Sequence, residues 1–227
     1  MKTLEKSTQA RKTDGDKRAR QTRAKLIRVA RKHFAAHGFE GASLREIQRD
    51  AGVNAAAVHY HFGSKEKLYH AVISTSVERI QTEREHAYAE LDAALLGRQR
   101  LFALLRAYAS PHIRLALSQE GQGYSQILIQ ISFGTRDRSS LKLIRESYAP
   151  TRNLFLNAIQ KLLPKADPVE VARCMAAFIT AMMCNPFSIS FVQMTEKKLF
   201  EDSPEVWIEA VTRDAGAAFV ALPGSTL

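Results

Sequence analysis

Between residues 22 and 66 the chain is cut into short helices by its own glycines. From Thr22, Leu26, Ile27, Ala30 and Phe34 recur at helical spacing, with Arg23, Lys25, Arg28, Arg31 and Lys32 on the remaining faces. Gly38, directly after His37, suits the end of that helix. Ser43-Leu44-Arg45-Glu46 is a capping box that starts a second helix, and Gly52 stops it nine residues later. Asn54 predicts the N-cap of a third helix running to Phe62, and Gly63 ends it. Ser64 caps a fourth, whose Leu68, Val72, Val77 and Ile80 keep a helical period. Ile47, Val53, Val58, Phe62 and Leu68 read as core.

Every later cue is also helical. Gly97 opens a run in which Pro111 predicts a kink or a split. Gly121 and Gly123 mark a loop before YSQILIQISF, and a longer helix from Arg138 to Leu163 should bend near Pro150. Asp167-Pro168-Val169-Glu170 and Ser203-Pro204-Glu205 each place a cap ahead of a proline at the first helical position. No segment alternates with a period of two and no internal repeat occurs, so the expected fold is all-α with about nine helices. No apolar run reaches the ~18 residues of a membrane span. The N-terminus lacks the apolar core of a signal peptide and reads as cytoplasmic. Cys174 and Cys184 are ten residues apart. On one helix their α-carbons lie roughly 15 Å apart, too far for a disulfide.

Charge separates the two ends of the chain. Residues 1–65 carry 15 Lys and Arg against 6 Asp and Glu, a net of +9, whereas residues 66–227 carry 18 against 17, a net of +1. So uneven a split implies that one end meets a polyanion, nucleic acid or an anionic membrane. The organisation read from these features is a mobile basic tail at 1–20, a helix-turn-helix unit at 21–66 and a second helical unit at 67–227. The tail could track DNA or simply solubilise the chain.

The pair of short helices joined through Ala51-Gly52-Val53 is a helix-turn-helix candidate. In such a motif the second helix enters the major groove N-terminus first, so its early residues must not hold the backbone away from the bases. Ala55, Ala56 and Ala57 allow that approach, and their methyls can touch thymine methyls. His59, Tyr60 and His61 follow one turn on, where rings can reach a base edge or a phosphate. His33 and His37 stand at metal-ligand spacing, but no third ligand is near them, so no metal and no cofactor is expected.

The stretch GASLREIQRDAGVNAAAVHYHFGSKEKLYHAV resembles the DNA-binding region of the TetR/AcrR family of transcriptional regulators, and the resemblance extends over about residues 22–75. It implies double-stranded DNA as partner. Ser43 and Tyr60 would bind phosphate, Arg45 a base near the groove edge, and Ala55, Ala57 and His59 would face bases. His61 and Lys65 would contact phosphate, Lys65 from the start of the fourth helix, whose amides favour an anion. The family often has Thr where this chain has Ala57 and Tyr where it has His59, so the operator is not fixed by the likeness. The remaining two-thirds of the chain would bind a small-molecule effector and form the homodimer, and repression would be the usual outcome.

Residues alone give weaker cues there. Val171–Met183 is apolar on nearly every face and predicts a helix buried all round. Ala172, Met175, Ala176, Ile179 and Met183, with Val206, Trp207 and Ala210 of the last helix, are the expected dimer interface, ordinary intrachain core being the alternative. Tyr108, His112, Gln126, Gln130, Tyr148 and Asn185 are polar residues inside apolar runs and the candidates for a pocket, with a hydrophobic effector suggested by their surroundings. No catalytic spacing is recognisable: Cys174 lies in the most apolar helix with no nearby His or Asp, which favours packing over nucleophilic chemistry. The competing reading is a peripheral nucleic-acid or membrane-associated helical adaptor without effector control. It fits less well, because the charge sits on short capped helices without the large apolar face of a membrane-surface helix.

Overall fold

The structure, a computed structural model, describes the backbone of residues 2–119, 121, 123–133, 138–195 and 203–227. Among the described residues every regular element is an α-helix, in the order α1 (Lys2–Gly41), α2 (Leu44–Asp50), α3 (Ala57–Phe62), α4 (Lys65–Ala89), α5 (Gly97–Leu117), α6 (Tyr124–Phe133), α7 (Arg138–Leu162), α8 (Pro168–Thr195) and α9 (Pro204–Val220). The expected all-α architecture is therefore the one formed. Local chemistry accounts for most boundaries. Ser43 Oγ accepts from the Glu46 amide at 3.4 Å, Ser64 Oγ from the Lys67 amide at 3.1 Å, and Asp167 Oδ1 from the Val169 amide at 3.0 Å. Ser203 stands at the N-cap of α9 with Pro204 behind it. Gly38 breaks α1 at φ 67°, where the first helix was expected to end.

Three expectations need correction here. Residues 2–20, read as a mobile tail, continue α1 as helix, because Lys, Arg, Glu, Gln and Ala are good helix formers and no proline interrupts them. The third helix begins at Ala57, not after Asn54: the Ala57 amide donates to the Asn54 carbonyl at 3.1 Å, so Asn54–Ala56 form a turn that feeds the helix. Val53 is only half-buried, whereas Ile47, Val58, Phe62 and Leu68 are in the core.

The chain divides into two compact units, Met1–Ile73 and Ser74–Leu227, with α4 contributing to both. The division falls beyond the expected boundary at 66 because the first turns of α4 belong to the N-terminal core. Leu68 and Tyr69 are buried there, and the Tyr69 ring meets Phe34 edge-on at 4.7 Å.

In the second unit α4 is tied to α5 and α7 at their prolines. Both helices run on through Pro111 and Pro150. A proline removes one N–H and opens the turn before it, leaving carbonyls accessible to other donors. Arg84 Nε donates to the Tyr108 carbonyl at 2.8 Å, and Gln81 Nε2 to the Ser147 carbonyl at 2.8 Å. Each acceptor lies three residues before its proline, and the two donors lie three apart on α4. Thr151 Oγ1 completes the second clamp by donating to Gln81 Oε1 at 2.5 Å.

Helix α9 packs on α5 through Trp207, Ile208, Val211 and Phe219, which join Leu101, Leu104 and Leu105 in one core. Gly216 permits this approach: a Cβ there would stand 2.5 Å from the Phe102 ring. No helix among the described residues is long and apolar enough to cross a membrane. Overpacking at Gly216 costs about 1–3 kcal/mol and the better helix propensity of alanine returns about 1, so Gly216→Ala should lower stability in chemical denaturation by up to about 2 kcal/mol. An unchanged midpoint would mean that the α5–α9 contact gives way freely.

Candidate nucleic-acid interface and ligand cavity

The N-terminal unit holds its two short helices in place with few interactions, each specific. Gly52 turns the chain at φ 58°, a conformation that disfavours side chains. Gln48 Nε2 reaches across the turn to the Ala55 carbonyl at 2.6 Å, fixing the start of α3 against α2. His33 Nε2 lies 2.9 Å from Asp50 Oδ2 and joins α1 to the end of α2. The Asp50 carboxyl is held below its ordinary range first by Arg49 and then by His33. Arg23 stands over the Phe62 ring, its Cζ 5.1 Å from the centroid.

This frame leaves a defined set of side chains outside. Arg45, Ala55, Ala56 and His59 are exposed, and Tyr60 projects with 80% of its surface accessible despite its large ring. His61 is half-buried, with the Tyr60 ring edge-on at 4.9 Å. Ser43 is half-buried too: its oxygen caps α2 while its own O–H stays able to donate to a phosphate. Lys65 donates from Nζ to the Glu40 carbonyl at 3.1 Å and sits 4.9 Å from the Phe39 centroid, so part of its ammonium is committed to the fold. Ala57 departs from expectation. It is 9% exposed and buried as the first residue of α3. The outward alanines are 55 and 56.

In the second unit a cavity of about 140 Å³ is lined by residues from α4, α5, α6, α7 and α8. Of the expected pocket residues, Tyr108, His112 and Tyr148 line it. Gln126 and Gln130 are exposed and face elsewhere, because α6 turns Ile127, Leu128 and Ile131 inward instead. Asn185 lies outside the described residues. The decisive residue was missed: Arg84, fully buried, stacks its guanidinium on Tyr108 with Cζ 3.6 Å from the ring centroid. A signal existed, since Arg84 continues the Val77, Ile80 stripe of α4 and so falls on its core face. A wider, open groove of about 630 Å³ runs between α4 and α5, with Glu83, His86, Glu90, Arg106 and Arg114 along it.

Helix α8 also departs from the reading of a helix buried all round. Val171, Met175, Phe178 and Met182 are buried within the chain, whereas Ala172, Ala176, Ala177, Thr180 and Ala181 are exposed. Met175 and Trp207 thus belong to the intrachain core and cannot carry a dimer contact. Ile179 and Met183 are half-buried and line the cavity. Val206 is exposed and Ala210 half-buried on α9. Cys174 is a half-buried free thiol whose pKa is raised by burial, which keeps it protonated. No group of three or more metal-ligating side chains occurs among the described residues.

His112 is the pH-sensitive element of the cavity. Burial, and then the Arg84 charge, lower its pKa from 6.5 to about 3. Its imidazole is therefore neutral in the folded chain, and both ring nitrogens are without hydrogen-bond partners. Unfolding takes up a proton at this site between pH about 3 and 6.5, so its contribution to stability is complete above 6.5 and is lost as pH falls through that window. Wild type should lose about 1.4 kcal/mol more per pH unit than His112→Leu across the window in urea denaturation. Parallel curves for the two proteins would reject a neutral buried imidazole.

Residues 26–72 match the bacterial regulatory proteins of the tetR family, and residues 106–217 match the tetracyclin repressor-like C-terminal domain. The chain is 36% identical over 163 residues to the transcriptional regulator BetI of Rhizobium meliloti, a match covering 70% of this chain and 75% of BetI. It is 35% identical over 83 residues to the transcriptional repressor AcnR of Corynebacterium efficiens, covering 36% of this chain and 44% of AcnR, less than half of that relative's length. A solved TetR-like transcriptional regulator from Rhodococcus sp. RHA1 shares the fold at a TM-score of 0.61 and 15% identity, over 87% of this chain and 93% of its own. With the glycine-hinged helix pair at one end and the helical cavity-bearing unit at the other, the chain belongs to the tetR family of bacterial regulatory proteins.

Proposed function

We propose that this chain is a homodimeric, ligand-responsive transcriptional regulator acting as a repressor on palindromic duplex DNA. The observation that carries the reading is the exposed edge of the helix-turn-helix. Arg45, Ala55, His59 and Tyr60 project from a rigid pair of short helices in the part of the chain whose net charge is +9. Lys65 and the exposed Lys and Arg of α1 and α2 in the same unit would displace counterions from the phosphates, while the alanine-edged end of α3 lets the backbone approach base edges. Ser43, Tyr60, His61 and Lys65 would contact phosphate. Arg45, Ala55 and His59 would read bases, and Ala57 drops out of that set because it is buried.

The dimer uses the small-residue face that α8 leaves exposed, Ala172, Ala176, Ala177, Thr180 and Ala181, paired with Val206 and Ala210 of α9. Two copies of such a helix pair form a four-helix interface in which alanines allow close approach. The effector acts by binding more tightly to the conformation whose recognition helices no longer match successive grooves about 34–36 Å apart. The two cysteines and the histidines take no catalytic part in this scheme.

Selection from randomised duplexes should enrich one palindrome for the wild type. Arg45→Ala should relax the preference at one position per half-site by about 1–3 kcal/mol while retaining affinity for duplex overall. No enrichment of any sequence would overturn the proposal, and an unaltered preference would remove Arg45 from base readout. Ala176→Arg places a charge on the exposed α8 face without disturbing the buried stripe, and sedimentation should find it monomeric where the wild type is a dimer. Equal sedimentation of the two would place the interface elsewhere.

A further inference from the structure

We propose that the effector is a small organic carboxylate, anchored by the buried Arg84 guanidinium with its apolar part held among Leu128, Ile144 and Met182. This inference rests on the ligand-responsive reading above and specifies its chemistry. Arg84 has no exposed surface, yet its hydrogen bonding is incomplete. Nε is satisfied by the Tyr108 carbonyl at 2.8 Å, Nη2 has only the weak acceptor Met182 Sδ at 3.8 Å, and Nη1 has no partner. No carboxylate among the described residues pairs with it.

A guanidinium does not deprotonate in a protein, so burial cannot silence this charge as it does that of His112. Stacking on Tyr108 at 3.6 Å, with Tyr148 at 5.4 Å, eases its desolvation but supplies no negative charge. The nearby hydroxyls do not supply one either. Tyr124 and Tyr148 share a 2.6 Å hydrogen bond, and burial drives both pKa values upward, that of Tyr148 to about 12. Both phenols therefore stay neutral. Among the described residues the cavity thus presents a buried guanidinium with no carboxylate partner, two terminal NH2 groups of a planar fork with no strong acceptor, and a neutral imidazole with one donor and one acceptor nitrogen unpaired. That is the complement of one carboxylate, which takes a guanidinium fork in two parallel hydrogen bonds.

Two further features narrow the class. Leu128, Ile144 and Met182 are buried around the cavity, so a bare inorganic anion would leave apolar walls unfilled. The cavity volume of about 140 Å³ is near that which accepts one benzene ring, which sets the apolar part at a single ring or a short chain. Arg145 and Arg152 also border the cavity and add to the positive field that draws an anion in. The apolar walls are in keeping with the hydrophobic effector suggested by the sequence, but an effector without a negative group would leave the Arg84 charge unanswered.

The test uses the purified full chain with butyrate, hexanoate, octanoate and benzoate, each beside its amide, read by calorimetry and by thermal shift. At least one carboxylate should bind while its amide does not. Arg84→Met should weaken that binding about tenfold or more, the loss expected for a charge-assisted hydrogen-bond pair. Because methionine removes an unpaired buried charge, the ligand-free variant should melt no lower than wild type, and Arg84→Lys should bind more weakly than wild type for want of the fork. Carboxylates and amides binding alike, no carboxylate binding at all, or full carboxylate affinity in Arg84→Met would each overturn the assignment. Duplex binding separates this from the regulator reading: a chain that selects DNA but ignores every carboxylate sinks only the effector class. A chain that binds carboxylate through Arg84 but no duplex supports the anchor and sinks the regulator.

Discussion

The second unit is arranged around a side chain that proteins rarely bury alone. Arg84 sits on the core face of α4 with no exposed surface, its Nε on the Tyr108 carbonyl and its plane on the Tyr108 ring. An isolated charge in a protein interior is expensive even after relaxation, several kcal/mol by general experience. Its retention therefore sets a constraint on the surrounding helices. Tyr108, Tyr148, His112 and Met182 all stand where they can stack on it, face it or feel its charge. Gln81, three residues earlier on the same helix, makes the corresponding bond to α7. The two prolines are part of this device, since the opened turns before Pro111 and Pro150 offer the carbonyls that α4 grasps.

The first unit is built on the opposite principle. Among the described residues most of its cationic side chains reach solvent, along α1 and on the short helix α2, and the helix ends at the turn are fixed by Ser43, Gly52 and Ser64. The Gln48 bond to the Ala55 carbonyl and the His33–Asp50 pair hold the exposed turn rigid with little buried surface. Rigidity there matters because base readout needs side chains placed before contact, and short helices have little stability of their own.

Much of this was legible in the sequence because it is local. Ser43, Gly52, Ser64, Asp167 and Pro204 each fix a boundary within a few residues of themselves, and the structure places helix ends there. Tertiary choices were less visible. Asn54 is a good cap by composition, but the turn through Ala55 and Ala56 delays α3, whose first residue, Ala57, is buried. Apolar content on all sides of Val171–Met183 did not distinguish the stripe that packs within the chain from the alanine face left outside. Met175 fell on the inner side for that reason. Residues 2–20 looked too polar to order, yet their propensity for helix carries α1 through them. Arg84 was hidden in an acidic-looking stretch, where charge suggested solvent and only helical phase pointed inward.

The role in DNA binding rests on an electrostatic contact between the N-terminal unit and phosphates, and a salt titration measures that contact directly. The affinity of the purified chain for its selected duplex should fall steeply with added salt. On a log–log plot the slope should be more negative than about −3, corresponding to three or four phosphates neutralised at about −0.9 each. An affinity that stays level as salt rises would contradict the assignment of this basic unit to nucleic acid.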